Sequence, residues 1–235
     1  MSRANSPDRD TVSEIAAALG RHIETNGLMV GDKMPSELSL AEQYGVSRTV
    51  IREAFRSLAA LQMISLSPGK RASVSLSNGE PVARILEHSV RMDAVAIQDV
   101  YDVRRTVEAR TATLAAIRRT DKEAENIAWH ASQMKSLFHD PAAGMEHDIA
   151  FHHAIARASR NKVFEMMITS FEGITRETWP VGWRSRNSDA ERLAMVDLHM
   201  DLASAISQRD AIRSAEIMSQ HFDVSTRALL SAGIR

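Results

Sequence analysis

The stretch Ser36–Met63, SELSLAEQYGVSRTVIREAFRSLAALQM, constrains this chain more than any other. Glu37, Leu40, Ala41 and Tyr44 fit one helical face, Gly45 supplies a turn, and Val46 packs into it. Ser47 is placed to cap a second helix, whose apolar residues Val50, Ile51, Ala54, Phe55, Leu58 and Leu61 recur at spacings of three and four. The other face of that helix carries Arg48, Thr49, Arg52 and Arg56. An apolar back with a basic, hydroxyl-bearing N-terminal front is what a DNA major groove admits. Arginines on a solvated helix face are common, so the neighbouring chain has to decide whether this is a recognition helix.

The neighbouring chain supports that reading. Residues 1–9 are polar and expected to be loose, after which Val12, Ile15, Leu19 and Ile23 recur at helical spacing up to a stop at Gly27. GLMVGDKMP reads as a connection. After Met63 the period becomes two, with Ile64 and Leu66, then Ala72, Val74 and Leu76, on either side of Ser67-Pro68-Gly69-Lys70. That is a hairpin with a basic tip, placing Lys70 and Arg71 near phosphates or a minor groove. Three helices and a hairpin make residues 1–76 a winged helix-turn-helix domain. The whole chain has a formal charge of −1, but between Tyr44 and Leu76 five basic residues face Glu53 alone. The local excess lies where nucleic acid would need it. The DNA-facing set is therefore Ser36, Ser47, Arg48, Thr49, Arg52, Arg56, Lys70 and Arg71, with double-stranded DNA as the partner.

Residues 77–81, SNGEP, form a polar linker, and residues 82–235 show no strand alternation. Helices are expected over 82–92, 99–118, from the cap at Thr120 to about Phe138, from Asp140-Pro141 to about Ser159, from Val163 to Trp179-Pro180, over 189–208 and over 210–231. Residues 181–188 read as a loop. On the 99–118 helix, Val100, Val103, Val107, Leu114 and Ile117 mark the apolar side. The fold class is thus mainly α, an N-terminal winged helix-turn-helix followed by an all-α antiparallel helical bundle. With no cysteine in 235 residues, disulfides and thiolate metal sites are excluded. The sequence predicts no signal peptide and no membrane span, and a cytoplasmic location.

Two sets of residues in the second half carry chemistry. Asp148 and His152 stand four apart on one helix face, and His199 and His221 lie in the last two helices. One carboxylate and three imidazoles suit a divalent ion, zinc first, with nickel, manganese and iron also compatible. Equally, nine histidines in the chain make a chance Asp/His pair ordinary. Arg104, near the apolar side of its helix, either forks onto a ligand carboxylate or pairs with Glu108 one turn on. Asn161, after Ser159-Arg160, reads as a helix C-cap. Trp179 and Trp183 either wall a pocket or staple the bundle, with packing the simpler reading.

The run Gly31–Ile64 resembles the DNA-binding domain of GntR-type transcription regulators. The resemblance rests on Gly31, Pro35-Ser36-Glu37, Leu40-Ala41-Glu42, Gly45-Val46-Ser47-Arg48 and Ile51-Arg52-Glu53-Ala54. VRRTVEARTATLAA (103–116), DIAFHHAIARASRN (148–161), LHMDLASAI (198–206) and SQHF (219–222) resemble the FCD effector domain of the FadR subgroup. The resemblance implies a metal held by Asp148, His152, His199 and His221, a small organic acid held by that metal and Arg104, and Asn161 near the pocket. The family usually carries an arginine after Pro-Ser-Glu, where this chain has Leu38, so one DNA contact is expected to be absent. IREAFRSL (51–58) and Glu177-Thr178-Trp179 look most like regulators of galactonate-type sugar-acid catabolism.

The expectation is a ligand-responsive, homodimeric DNA-binding regulator, a repressor of an organic-acid or sugar-acid catabolic operon, and not an enzyme. Two rivals remain. One is a metal-dependent enzyme that activates water at the Asp/His cluster. The other is a DNA-binding protein whose bundle serves only to dimerise.

Overall fold

The computed structural model describes residues 9–234. The expectation for residues 1–8 lies outside the described residues. The chain divides into two compact units, which meet at Pro81 and Val82.

In the first unit α1 (Arg9–Thr25), α2 (Glu37–Tyr44) and α3 (Arg48–Ala60) precede β1 (Ile64–Ser65) and β2 (Ser73–Val74). Ser36 caps α2 by accepting from Ser39 N at 3.1 Å, and Ser47 caps α3 by accepting from Val50 N at 3.3 Å. Between the two helices Gly45 takes φ +66, a left-handed conformation that suits a residue without a Cβ. The buried residues of α3 are Val50, Ile51, Ala54, Phe55 and Leu58, joined in one core by Leu19, Met34, Leu40, Ile64 and Val74.

The wing strands pair antiparallel, Ile64 with Val74 and Ser65 with Ser73. They are shorter than the alternation predicts, and Leu66 and Leu76 stay exposed beyond them. The connection after α1 supplies what the strands lack. Gly31 N donates to Val74 O, Met34 N to Ala72 O, and Val74 N to Asp32 O, each at 2.9 Å.

The second unit is all helical. Its elements are α4 (Glu80–Arg91), α5 (Ile97–Arg118), α6 (Asp121–Ser136), α7 (Pro141–Ala158), α8 (Lys162–Ser170), α9 (Glu172–Ser185), α10 (Asp189–Ser207) and α11 (Ala211–Ser231). The capping box of Thr120 and Glu123 starts α6, and Asp140 caps α7 with Pro141 in its first turn. α4 begins within the segment expected to be linker.

The single helix expected from Val163 to Pro180 is two, broken at Phe171, and the second runs through Pro180 to Ser185. Pro180 removes one N–H, but packing holds the helix together across it: Ile174, Thr175, Thr178 and Gly182 are buried, and Trp179 stacks on Trp183 at 5.1 Å. The expected 181–188 loop therefore shrinks to the residues after Ser185.

α5 packs against α7, α10 and α11 and forms the spine of the bundle. Its buried face differs from the expected one. Val103 and Ile117 are 47% and 55% exposed, while Arg104, Glu108 and Thr111 are buried beside Tyr101, Ala112 and Ala115.

Candidate functional site

On the first unit, the cap at Ser47 fixes where α3 begins, and the burial of its apolar face leaves Arg48, Thr49, Arg52 and Arg56 exposed. A surface concavity between this helix and the wing is bordered by Ser36, Arg48, Arg52, Arg56, Lys70 and Arg71. Ser47 and Thr49 are exposed at the helix start and do not border it. Glu37, which the sequence places on one face of the first helix, receives Arg52 through two hydrogen bonds of 3.0 and 3.4 Å, with Arg48 4.0 Å away. Leu38 is 54% exposed and faces the same concavity.

In the second unit, α5, α7, α9, α10 and α11 converge on one cavity. Its lining includes Arg104, Asp148, His152, His199 and His221, the whole set singled out from sequence except Asn161. All five are buried. One ring nitrogen from each of His152, His199 and His221 lies within 4.8 Å of the others. Asp148 Oδ1 lies 2.8 Å from His199 Nε2.

The outer sides of two rings fix which nitrogen faces inward. His199 Nδ1 is 2.8 Å from Met195 O, a carbonyl that only accepts, so Nδ1 carries the proton. His152 Nδ1 pairs with the Glu108 carboxylate in the same way. The Nε2 atoms of both rings are then the ones turned into the cavity, buried and without a hydrogen bond. His199 Nε2 makes none even to the nearby Asp148, since two acceptors cannot bond without a shared proton or cation. Orphaned buried acceptors cost free energy unless something binds them. Imidazoles steadied through Nδ1 by a carbonyl or carboxylate are the arrangement in which Nε2 ligates metal. The donor set therefore fits a divalent cation.

Without a cation the site holds protons in its place. Burial raises the Asp148 carboxyl, but a proton shared with His199, with the charge of His152 and His221 beyond it, outweighs burial and holds it well below its ordinary value. Burial lowers the His152 ring, but the Glu108 carboxylate outweighs it and the net shift is upward, so a metal would displace a proton there. Burial, reinforced by the neighbouring His199 and His152, pushes His221 well down, which keeps its ring neutral and able to ligate.

Arg104 pairs with Glu108 and still lines the cavity. Its Nε donates to Glu108 Oε1 and its Nη1 to Thr175 Oγ1, both at 2.8 Å, while its guanidinium lies 4.9 Å from the centre of the Phe222 ring and lines the cavity. Glu108 thus joins Arg104 to His152. The sequence offered it only as a partner one turn from Arg104. Burial lowers Arg104, but Glu108 and Tyr101 outweigh it and the net shift is upward.

The cavity also takes in Arg186, which sequence reasoning placed in a loop and passed over. Asn161 is a correction. Its Oδ1 accepts from Val163 N at 3.0 Å as the N-cap of α8, and Arg160 holds the left-handed position instead. With its side chain spent on that cap, Asn161 does not line the cavity.

The comparisons with known proteins fit this geometry. Residues 11–74 match the family described as bacterial regulatory proteins, gntR family, and residues 99–224 match the FCD domain. The chain is 27% identical to the HTH-type transcriptional regulator LutR of Bacillus subtilis, over 85% of this chain and 92% of that one. It is also 27% identical to the galactonate operon transcriptional repressor of Escherichia coli, over 92% and 95% of the two chains. A third relative, the putative L-lactate dehydrogenase operon regulatory protein of Escherichia coli, is 30% identical over 67% and 62%. In fold, the chain resembles a Streptococcus agalactiae GntR structure at a TM-score of 0.59 and 24% identity, covering 92% and 99% of the two chains. The family and these relatives are transcription regulators. Among the described residues, no helix is long and apolar enough to cross a membrane. The chain belongs to the GntR family, in its FadR-like, FCD-containing branch, and is a ligand-responsive DNA-binding transcription regulator.

Proposed function

We propose that the bundle cavity is a metal-assisted acid sensor that controls the DNA-binding unit. Asp148, His152, His199 and His221 hold a divalent ion, zinc by preference for this nitrogen-rich set. When bound, the ion supplies a Lewis-acidic position for one carboxylate oxygen of an effector. Arg104 orients that carboxylate from the side, and it is itself held by Thr175, while the Tyr101 and Thr178 hydroxyls bond to each other in the cavity wall. The stacked indoles of Trp179 and Trp183 wall off the apolar side. The observation that carries the reading is the pair of buried, unpartnered Nε2 atoms on His152 and His199, each ring steadied from behind.

In this reading the chain works as a cytoplasmic homodimer. Two α3 helices enter successive major grooves of a near-palindromic operator, with Ser36, Ser47, Arg48, Thr49, Arg52, Arg56, Lys70 and Arg71 at the interface. Relatives whose names refer to galactonate, Uxu and L-lactate dehydrogenase operons support a repressor of organic-acid or sugar-acid catabolism. For the acid to act, it must bind one arrangement of the protein better than the other.

His199→Ala should lose most of the bound metal on purification, and the acids that raise the melting temperature of the wild type should no longer do so. Elemental analysis and a thermal-shift panel of sugar acids and dicarboxylates measure both. Metal content equal to wild type would remove the four-residue site.

A further inference from the structure

Three arginines are buried among the described residues, Arg104, Arg119 and Arg186, at 4%, 8% and 9% exposure. Two of them have a carboxylate partner, Arg104 in Glu108 and Arg119 in Asp121. Arg186 has none. The one hydrogen bond its guanidinium makes among the described residues runs from Nη1 to Gly182 O at 2.6 Å, although a guanidinium has five N–H donors. Burial pushes it below its ordinary value, and Asp148, Tyr101 and Glu191 oppose that shift only through space. Of the nearby acids, Glu191 is already accepting from Asn187 N at 2.9 Å, and Asp148 stands among three imidazoles.

The position of Arg186 is built. It follows the last residue of α9, and Arg192 braces that helix end, donating to Arg186 O at 2.8 Å and to Trp183 O at 3.3 Å. Arg192 is itself anchored by Asp189 at 2.8 Å. A braced, largely buried cation lining a cavity without a counter-ion costs stability unless a ligand supplies the charge.

We infer that Arg186 is a second anion-binding residue of the cavity and that the effector is a small dicarboxylate, one carboxylate at the metal and Arg104, the other at Arg186. The inference rests on the acid-sensor reading above and narrows its ligand class. Charge supports it. Arg104 and Glu108 cancel, so a divalent ion, Asp148 and Arg186 leave two formal positive charges facing the cavity, which a monocarboxylate does not neutralise.

Isothermal titration of the metal-loaded full chain tests this with acids paired by one carboxylate, succinate against butyrate and glucarate against gluconate. In the wild type the dicarboxylate of a pair should bind at least about tenfold more tightly than its twin. In Arg186→Gln that ratio should fall to within about twofold, and Arg186→Lys should restore part of it. Should Arg186→Gln fail to fold, the ratio in Arg186→Lys, reduced but above unity, carries the test. A ratio preserved in Arg186→Gln (or, where that variant does not fold, in Arg186→Lys), or monocarboxylates binding as tightly as dicarboxylates to the wild type, overturns the inference and leaves the acid sensor standing. If none of the four acids binds to metal-replete protein, the acid-sensor reading itself falls.

Discussion

Arg52 meets Glu37 at 3.0 Å on the surface of the first unit, and Arg104 meets Glu108 at 2.8 Å inside the second. The chemistry is the same and the surroundings are opposite. The arginine side chain is 51% exposed in the first pair and 5% in the second. On the surface, water solvates both partners, so Arg52 can exchange Glu37 for a phosphate or a base edge at little cost. In the interior neither partner can leave without stranding the other. The exposed pair suits a contact made and broken at each binding event. The buried pair suits a fixed frame, because the Glu108 carboxylate that restrains Arg104 also sets the tautomer of His152.

Substitutions in the two pairs should separate them by size and by the property that changes. The largest effect belongs to Glu108→Ala, which leaves a buried guanidinium uncompensated and frees the His152 ring. It should cost about 3–5 kcal/mol of stability, read by urea unfolding. A loss under about 1 kcal/mol would show that the interior pair is as replaceable as a surface one. Next is Arg52→Ala, which should weaken operator binding on the order of tenfold at fixed salt and leave acid binding unchanged. A gel shift matching wild type would take Arg52 out of the interface. The smallest is Glu37→Ala, expected to move the melting temperature by no more than about 3 °C. A larger fall would make the surface pair structural and erase the contrast.

The first unit was legible because its signals are local. The cap at Ser47, the glycine turn before it and the apolar stripe from Val50 to Leu58 lie in one continuous stretch and are found where spacing placed them, while Leu61 falls past the end of α3 and is exposed. The wing was read too long because the strands borrow hydrogen bonds from the connection at 31–34, which has no periodicity.

The bundle was legible in class and less so in its interior. α5 buries a polar stripe through Arg104, Glu108 and Thr111, so counting apolar residues assigned Val103 and Ile117 to the wrong side. Pro180 signals a helix end in isolation, but the tryptophan stack and buried threonines of α9 carry the helix past it. The same error hid Arg186, which follows a helix end and not the middle of a loop. Asp148, His152, His199 and His221 were singled out by spacing and family resemblance, while the carbonyl and carboxylate behind two of the rings are set by folding alone.

The central claim is that acid binding at the metal site changes affinity for DNA. The direct measurement is an operator titration by fluorescence anisotropy at fixed salt, with and without the panel acid that most stabilises the protein. It is run on metal-loaded wild type, metal-stripped wild type and His199→Ala. The acid should shift operator affinity by about tenfold or more in the metal-loaded protein and by less than about twofold in the other two, a coupling of more than about 1 kcal/mol. An equal shift in all three, or none in the metal-loaded protein, would contradict the account.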